Sequence, residues 1–137
     1  MSVIFESAAS LRFFGDDLDP DELTSMFGAG PTASIRKGDI RLVSRGQEFL
    51  AKTGSWRLEV DRRRPGDLDG QIAEIFGQLT PDLGIWAALT QRYRGDLFCG
   101  MFMGSGNDGF SLEPATTVAV GARGLLIGFD VYGEGLG

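Results

Sequence analysis

The 137-residue sequence contains no histidine and only one cysteine, Cys99. Without histidine the chain lacks the commonest general base, the usual base of a catalytic triad and the commonest metal ligand. A single cysteine cannot form an internal disulfide or, by itself, a thiolate metal site, and the apolar neighbours of Cys99 predict a buried core thiol. We therefore expect a protein that is not an enzyme and that carries no resident cofactor or metal.

Long hydrophobic runs are also missing. No apolar stretch reaches the ~20 residues that cross a bilayer, and the opening MSVIFESAAS has neither the basic start nor the apolar core of a signal peptide. We expect a cytoplasmic protein that does not associate with membranes. A chain of this length predicts a single domain over residues 1–137.

The charge balance lacks the basic excess that is typical of nucleic-acid binders. The formal net charge is −6, which argues against a nucleic-acid partner because such binding depends on neutralising phosphates. The charge is unevenly distributed: residues 31–66 carry nine basic and four acidic residues, whereas both flanking segments are acidic. This layout is compatible with electrostatic steering of a partner.

Periodicity and capping signals predict an α+β fold. Alternating or apolar runs predict strands, and Asp or Pro followed by apolar residues at helical spacing predicts helices. The predicted strands cover residues 10–14, 40–43, 55–60, 97–103 and 125–132, and the predicted helices begin after Asp19, after Asp67 or Asp69, at Thr80-Pro81-Asp82 and at Pro114. The order is β-α-β-β-α-α-β-α-β. Without its last helix and strand it matches the β-α-β-β-α-β core of a ferredoxin-like two-layer sandwich.

The stretch GSGNDG, residues 104–109, matches the G-x-G-x-x-G pattern of dinucleotide-binding loops. A predicted strand precedes it, and Asp130 ends the next strand at about the distance of a ribose-binding acid. The next helix, however, begins only at Pro114, too late for its free amides to face a phosphate, and Asp108 adds a negative charge. The pattern therefore favours a glycine-rich turn over a nucleotide site.

Five acidic residues cluster around the predicted first helix: Asp16, Asp17, Asp19, Asp21 and Glu22. Carboxylates are suitable ligands for Mg²⁺, so a magnesium-dependent phosphoester enzyme is one alternative. The spacing does not match a calcium loop, and capping and the helix dipole already explain Asp19 and Glu22. We favour the structural explanation and predict no metal site.

Basic residues in the middle third mark where an anionic ligand or an acidic partner would bind. Arginine holds carboxylates and phosphates through charge-assisted hydrogen bonds, and Trp56 could stack on a planar group. The predicted binding residues include two acidic residues, whose charge is opposite to that of the basic segment. They are Asp16, Asp17, Arg36, Lys37, Trp56 and Arg57. Arg62, Arg63 and Arg64 extend the same basic segment.

Six blocks of the sequence together resemble the bacterial family known as domain of unknown function 4279. The blocks are LRFFGDDLDPDELTSMFG, PTASIRKGD, GSWRL, GDLFCGMF, GFSLEP and LLIGFDVYG, which lie between about residues 11 and 132. Glu113 departs from the serine expected before the proline. The resemblance implies a small cytosolic bacterial protein and supplies no catalytic residue.

Two functional hypotheses follow. The first is a non-catalytic interaction module that binds another protein, as an inhibitor, an immunity-type partner or a regulatory subunit. The alternative is a domain that binds a small anionic ligand through Arg36, Lys37, Trp56 and Arg57. The sequence leaves the oligomeric state undetermined.

Overall fold

A computed structural model describes residues 4–133 of the chain. Over this range the protein is a mixed α/β structure with a five-stranded sheet, a separate two-stranded hairpin and four helices. The strands are β1 (Glu6–Gly15), β2 (Ala33–Ile35), β3 (Ile40–Leu42), β4 (Glu48–Leu50), β5 (Gly54–Glu59), β6 (Arg94–Phe102) and β7 (Leu126–Tyr132); the helices are α1 (Pro20–Phe27), α2 (Leu68–Gly77), α3 (Leu83–Arg92) and α4 (Pro114–Ala122).

The helices begin where the capping signals predict. The side chains of Asp19, Asp67 and Asp82 each accept a hydrogen bond from a backbone N–H of the first turn of α1, α2 and α3, respectively. Asp69, the other predicted cap of α2, instead accepts hydrogen bonds from the N–H of Glu113 and from the hydroxyl at position 116 in α4. Asp69 therefore attaches α4 to α2.

The five-stranded sheet has the order β2-β5-β1-β6-β7. Neighbouring strands are antiparallel from β2 to β6, whereas β6 and β7 are parallel and α4 lies between them in the chain. A parallel neighbour requires such a crossover, because a short turn can only reverse the chain direction. This topology leaves β2 and β7 at the two edges.

One face of the sheet carries the hydrophobic core. Leu11 and Phe13 of β1 are fully buried, whereas Arg12 and Phe14 point to the opposite face, as the two-residue period of a strand requires. All four helices contribute buried apolar side chains to the same core cluster as Leu11 and Phe13. The helices therefore cover this face, and the opposite face is called the open face below.

One sheet strand was assigned wrongly from the sequence. The predicted strand at residues 40–43 exists as β3, but it pairs only with β4 and forms a separate hairpin. The second strand of the main sheet is β2, Ala33–Ile35, which pairs with β5. Its three residues are too short and too mixed in character to show periodicity, so its extended conformation depends on the ladder with β5.

Candidate functional site

The predicted acidic and basic residues near α1 are brought together, but they pair with each other. The guanidinium of Arg36 lies 2.8 Å from a carboxylate oxygen of Asp19 and 2.9 Å from one of Asp21. The ammonium of Lys37 lies 3.2 Å from Asp16, and its hydrogen bond is the main cause of a lowered Asp16 pKa. Asp17, the neighbour of Asp16, is exposed.

These ion pairs are exposed to solvent. Exposed pairs contribute little free energy, and they leave each charge accessible to a competing ligand. Among residues 4–133, no group of three or more carboxylate or thiol side chains converges on a point where it could hold a metal ion. The corner at α1 is thus a network of surface ion pairs.

Trp56 and Arg57 lie on opposite faces of β5. The indole of Trp56 is fully buried in the core, and its Nε1–H donates a hydrogen bond to the hydroxyl of Thr24 at 3.1 Å. It cannot stack on a ligand held by Arg57, because adjacent residues of a strand project in opposite directions. Of the predicted pair, only Arg57 reaches the open face.

The glycine-rich loop at residues 104–109 binds its own carboxylate. The N–H of Gly104 and the hydroxyl of Ser105 both donate to the carboxylate of Asp108, each at 2.6 Å. These bonds lower the pKa of Asp108, with the Ser105 hydroxyl as the largest cause. The helix that follows begins at Pro114, ten residues after Gly104 by sequence number. The loop donors that would face a phosphate are thus occupied by an anion of the chain itself.

The open face contains a groove of about 250 Å³. Small residues of the central strands β1 and β6 line it together with exposed side chains of the neighbouring strands and of the segment that follows β5. The small residues are Ala8, Ser10 and Gly100, and the exposed ones include Arg57, Arg62 and Tyr132. Ala8 and Gly100 are direct partners in the β1–β6 ladder, so the groove lies where two strands both lack a large side chain. This set is called the open-face groove.

Arg12 lies beside the groove in a two-pronged ion pair. Its Nε and Nη2 donate to the two oxygens of Asp96, each at 2.8 Å, and its guanidinium lies 4.4 Å from the centre of the Phe98 ring. The hydrogen bond to Asp96 is the main cause of a raised Arg12 pKa. Two parallel hydrogen bonds and a stacked ring fix the position of this guanidinium.

Arg57 is held less firmly. It is the ladder partner of Arg12 on the opposite side from Asp96, so two like charges lie side by side. Its own nearest carboxylate, Glu59, is 3.6 Å away, and both side chains are exposed. Because Asp96 is committed to Arg12, Arg57 is paired only with Glu59 among residues 4–133, and its side chain is exposed at the groove.

A third arginine borders the other end of the groove. Arg62 donates to the buried Glu6 at 3.0 Å and lies 4.8 Å from the centre of the Phe102 ring, which in turn stacks on Tyr132 at 4.8 Å. Arg64 also hydrogen-bonds Glu6, and this contact is the largest cause of a lowered Glu6 pKa. Exposed arginine next to stacked aromatic rings is a composition typical of binding surfaces.

The hairpin β3–β4 exposes an apolar surface next to the open face. Five large apolar side chains between residues 40 and 50 are 41% to 72% exposed: Ile40, Leu42, Val43, Phe49 and Leu50. Phe49 and Arg41 of the hairpin share a cavity of about 180 Å³ with Phe14 and Arg57 of the sheet. Strand alternation and the pairing of Ile40 with Leu50 place Ile40, Leu42 and Leu50 on one face of the hairpin and Phe49 on the other. This set of five residues is called the hairpin surface.

Neither surface was identified as a candidate site from the sequence. The hairpin could have been found, because two short apolar runs, IRLV and EFLA, flank the turn-forming SRGQ. Gly46 in that turn has a φ of 72°, and its neighbour Arg45 has a φ of 66°. The groove offered no comparable signal, because it depends on which residues of β1, β5 and β6 become neighbours.

The fold and these two surfaces define a mixed α/β protein whose helices cover one face of a sheet and whose other face is open. None of the helices within residues 4–133 is long and apolar enough to cross a membrane. The chain belongs to the family described as Domain of unknown function (DUF4279), whose model matches residues 5–134. This result confirms the resemblance seen in the sequence. No curated protein and no solved structure matches the chain.

Proposed function

We propose that the protein is a non-catalytic interaction module that binds another protein through the hairpin surface and the adjoining open-face groove. The observation that carries this proposal is the exposure of five large apolar side chains within eleven residues of one hairpin. Three of them, Ile40, Leu42 and Leu50, lie on one face of the hairpin, and monomeric proteins rarely leave contiguous apolar patches in water unless the patch binds something. An inhibitor, an immunity-type protein or a regulatory subunit would each use such a surface.

The fold supports the same proposal. We propose a ferredoxin-like arrangement in which β1, α1, β2, β5, α2 and β6 supply the β-α-β-β-α-β succession, supported by the antiparallel order β2-β5-β1-β6. The hairpin β3–β4, α3, α4 and β7 would be additions to it. In such a two-layer sandwich only one sheet face is covered by helices. The other face is therefore available to a partner, and the hairpin inserted between β2 and β5 lies beside it.

The charge of the hairpin indicates the chemistry of the partner. Residues 40–52 carry three basic residues, Arg41, Arg45 and Lys52, and one acidic residue, Glu48, within a chain of net charge −6. Interfaces place complementary potentials opposite each other, and like charges disfavour wrong partners. The partner we propose therefore presents an apolar patch bordered by carboxylates.

A comparison of baits tests this assignment. The wild-type protein, a hairpin variant (Leu42→Ser with Leu50→Ser) and a helix-side control (Leu83→Ser with Val118→Ser) are used to capture proteins from the source cells. All four positions are exposed apolar residues, so the two double variants remove comparable surface at different places. Equal melting temperatures of the variants establish that any loss of binding does not come from unfolding.

Each captured protein is then purified and titrated by calorimetry against the same three proteins. The proposal requires a partner whose affinity falls at least ~10-fold with the hairpin variant, which corresponds to about 1.4 kcal/mol, and is unchanged with the control. Its association rate falls as salt is raised, because opposite charges steer the encounter. Equal binding by all three proteins would contradict the assignment of the hairpin surface.

A second candidate function, the binding of a small anionic ligand, is favoured by one observation. Arg57 is exposed at the groove, lies beside Arg12 and has only a distant carboxylate partner. A carboxylate or phosphate in the groove would reach Arg57 and the similarly exposed Arg62. Arg36 and Lys37, which the sequence also suggested, do not line this groove and are paired with acids near α1.

Thermal shift distinguishes this candidate from the first. A ligand at 100 times its dissociation constant adds ~2.7 kcal/mol of stability. Phosphate, nucleotides and dicarboxylates would be compared on the wild-type protein, on Arg57→Met and on the Arg36→Met control. A shift that disappears only with Arg57→Met supports a ligand site in the groove, and no shift with any of these anions argues against it.

A further inference from the structure

The strand β7 forms one edge of the main sheet and is uncommonly apolar for an edge. Its sequence is LIGFDVY, with Asp130 as its one charged residue. Leu126, Phe129, Val131 and Tyr132 are 38% to 65% exposed. No strand within residues 4–133 pairs with the outer side of β7.

Edge strands of monomeric proteins are normally protected against pairing. The usual devices are lysine, proline, a bulge or a very short strand, since an edge offers a row of unpaired N–H and C=O groups to another chain. β7 is seven residues long and contains neither lysine nor proline, whereas β2 at the opposite edge is three residues long. Only the β2 edge is protected by its short length.

The backbone groups available for pairing can be assigned. The carbonyl of Tyr132 accepts a hydrogen bond from the N–H of Met103, so Tyr132 directs its backbone groups toward β6. Because these directions alternate along a strand, the N–H and C=O groups of Ile127, Phe129 and Val131 point outward. Among the described residues, these three of β7 thus present donors and acceptors on the edge that no neighbouring strand engages.

We propose that two copies of this chain associate through antiparallel pairing of their β7 edges, with Phe129 on the two-fold axis. The sheets of the two copies then join into one continuous sheet across an isologous interface. Continuity requires that paired residues lie on the same face, so only registers that pair residues an even number apart are allowed.

Among these registers, one is favoured by the charges and the apolar residues. With Phe129 opposite Phe129, Ile127 lies opposite Val131, Leu126 opposite Tyr132, and Gly128 opposite Asp130. Shifting the axis to Asp130 places two like charges directly opposite each other, which is destabilising. Shifting it to Gly128 places Asp130 opposite the apolar Leu126 and removes Tyr132 from the paired region. The register centred on Phe129 pairs apolar residues with apolar residues and each Asp130 with the smallest residue.

The same register also satisfies the backbone. Ile127, Phe129 and Val131 are the outward-pointing residues, and they pair only with one another, which forms about six hydrogen bonds across the axis. Each Phe129 ring already contacts its own Phe110 at 5.3 Å between ring centres, and Phe110 is exposed. The two pairs of rings would meet at the axis and bury their exposed area against each other.

Sedimentation velocity over a range of concentrations tests the association. The wild-type protein should form a dimer, Phe129→Glu should weaken it at least ~10-fold, and Val118→Glu on the exposed face of α4 should leave it unchanged.

A second pair of variants tests the register. The nearest atom to a Cβ added at Gly128, apart from its two chain neighbours, is a side-chain carbon of Leu126 at 3.9 Å. This position therefore accepts a side chain.

Gly128→Lys places two ammonium groups opposite the two Asp130 carboxylates and should strengthen the dimer, whereas Gly128→Glu should weaken it. Equal association of these two variants, or a wild-type protein that stays monomeric at about 200 µM, a concentration well above micromolar dissociation constants, would overturn the proposal. A dimer that resists Phe129→Glu would overturn it as well, because the interface would then lie elsewhere.

Disulfide trapping provides an independent readout of the same register. In the proposed dimer the Cα atoms of the two copies of position 129 lie about 5.5 Å apart, within the range that a disulfide spans. The two copies of position 131 lie about 14 Å apart, because four residues of strand rise and the spacing between the two strands separate them. Oxidation should therefore cross-link Phe129→Cys and not Val131→Cys, and the reverse result would show a different register.

The native thiol does not interfere with this experiment. Cys99 is fully buried, and burial raises its pKa to about 12. A thiol with such a pKa is unreactive at neutral pH, so only the introduced cysteine is oxidised.

The dimer edge is also separate from the hairpin surface, so loss of one interaction would not imply loss of the other.

Discussion

The ion pair of Arg12 and Asp96 should be a structural element of the open face that is unavailable for ligand binding. Asp96→Ala removes the acceptor of two charge-assisted hydrogen bonds and leaves the Arg12 guanidinium over Phe98 with only a weaker electrostatic interaction with Asp130. Breaking one side of a fully buried pair costs about 3–5 kcal/mol. The Arg12 side chain is 26% exposed and that of Asp96 is 12% exposed, so water compensates part of the loss. We expect a decrease in the free energy of unfolding of about 2–3 kcal/mol.

Urea unfolding followed by tryptophan fluorescence measures this change. Trp56 and Trp86 are both fully buried, so their emission shifts when the core opens. The control is Arg57→Met, which removes a cation whose nearest carboxylate is 3.6 Å away at the surface. Such an exposed pair contributes at most about 1 kcal/mol, so the control should lose about 0.5 kcal/mol or less.

A double-mutant cycle with Arg12→Met separates the pair from the packing of the two side chains. Methionine keeps an apolar stem in contact with Phe98 but cannot pair with Asp96. We expect a coupling energy of about 1–2 kcal/mol between positions 12 and 96. If Asp96→Ala costs no more than Arg57→Met, or if the coupling is absent, the pair is not structural and Arg12 would have to be counted among the free cations of the groove.

Two further predictions concern acid stability and backbone packing. The pKa of Asp67 is lowered, mainly by the N–H of Gly70 and also by Arg63. Its stabilising contribution is therefore complete above its unfolded pKa of about 3.9 and is lost as the pH falls through the folded pKa. In urea titrations from pH 7 to pH 3, Asp67→Asn should be less stable than the wild-type protein by a constant amount above about pH 5, and this difference should shrink below about pH 4. A difference independent of pH would contradict the assigned cause. At Gly54 an added Cβ would lie 2.8 Å from the backbone oxygen of Gly15, whereas at Gly106 it would meet nothing within 4 Å. Gly54→Ala should lose about 1–3 kcal/mol in thermal unfolding and Gly106→Ala almost none; equal melting temperatures would show that the sheet adapts to the added methyl group.

The helices were predictable from the sequence because their signals are local. Asp19 with Pro20 begins α1 and Gly28, with a φ of 82°, ends it, as their residue types indicate. The strand β6 was also predictable, since its apolar residues form one continuous run. The short strand β2 was not predictable, because its conformation is stabilised by pairing with β5 and not by its own residues.

The candidate site was predicted only in part, for a related reason. Arg36 and Lys37 were predicted to bind an anionic ligand or an acidic partner, and the fold pairs Arg36 with Asp19 and Asp21. Lys37 pairs with Asp16, which is 21 positions away in the chain. Trp56 was identified as a stacking residue, but the alternation of β5 directs it into the core. A charge or an aromatic ring is visible in the sequence, whereas its partner is chosen by strand order and register.

The sequence by itself determined the positions of the helices, the acidic character of the chain, the lack of histidine and the family to which the chain belongs. Each of these properties follows from the count or the order of the residues and does not depend on which residues become neighbours in space. Only the tertiary structure decided that β3 pairs with β4 and not with the main sheet, that Arg57 lies between Arg12 of β1 and Ala33 of β2, and that β7 is an apolar edge with no strand on its outer side within residues 4–133. The physical reason is that a strand pairs through backbone groups that every residue possesses, so its neighbour is selected by the burial of the whole sheet.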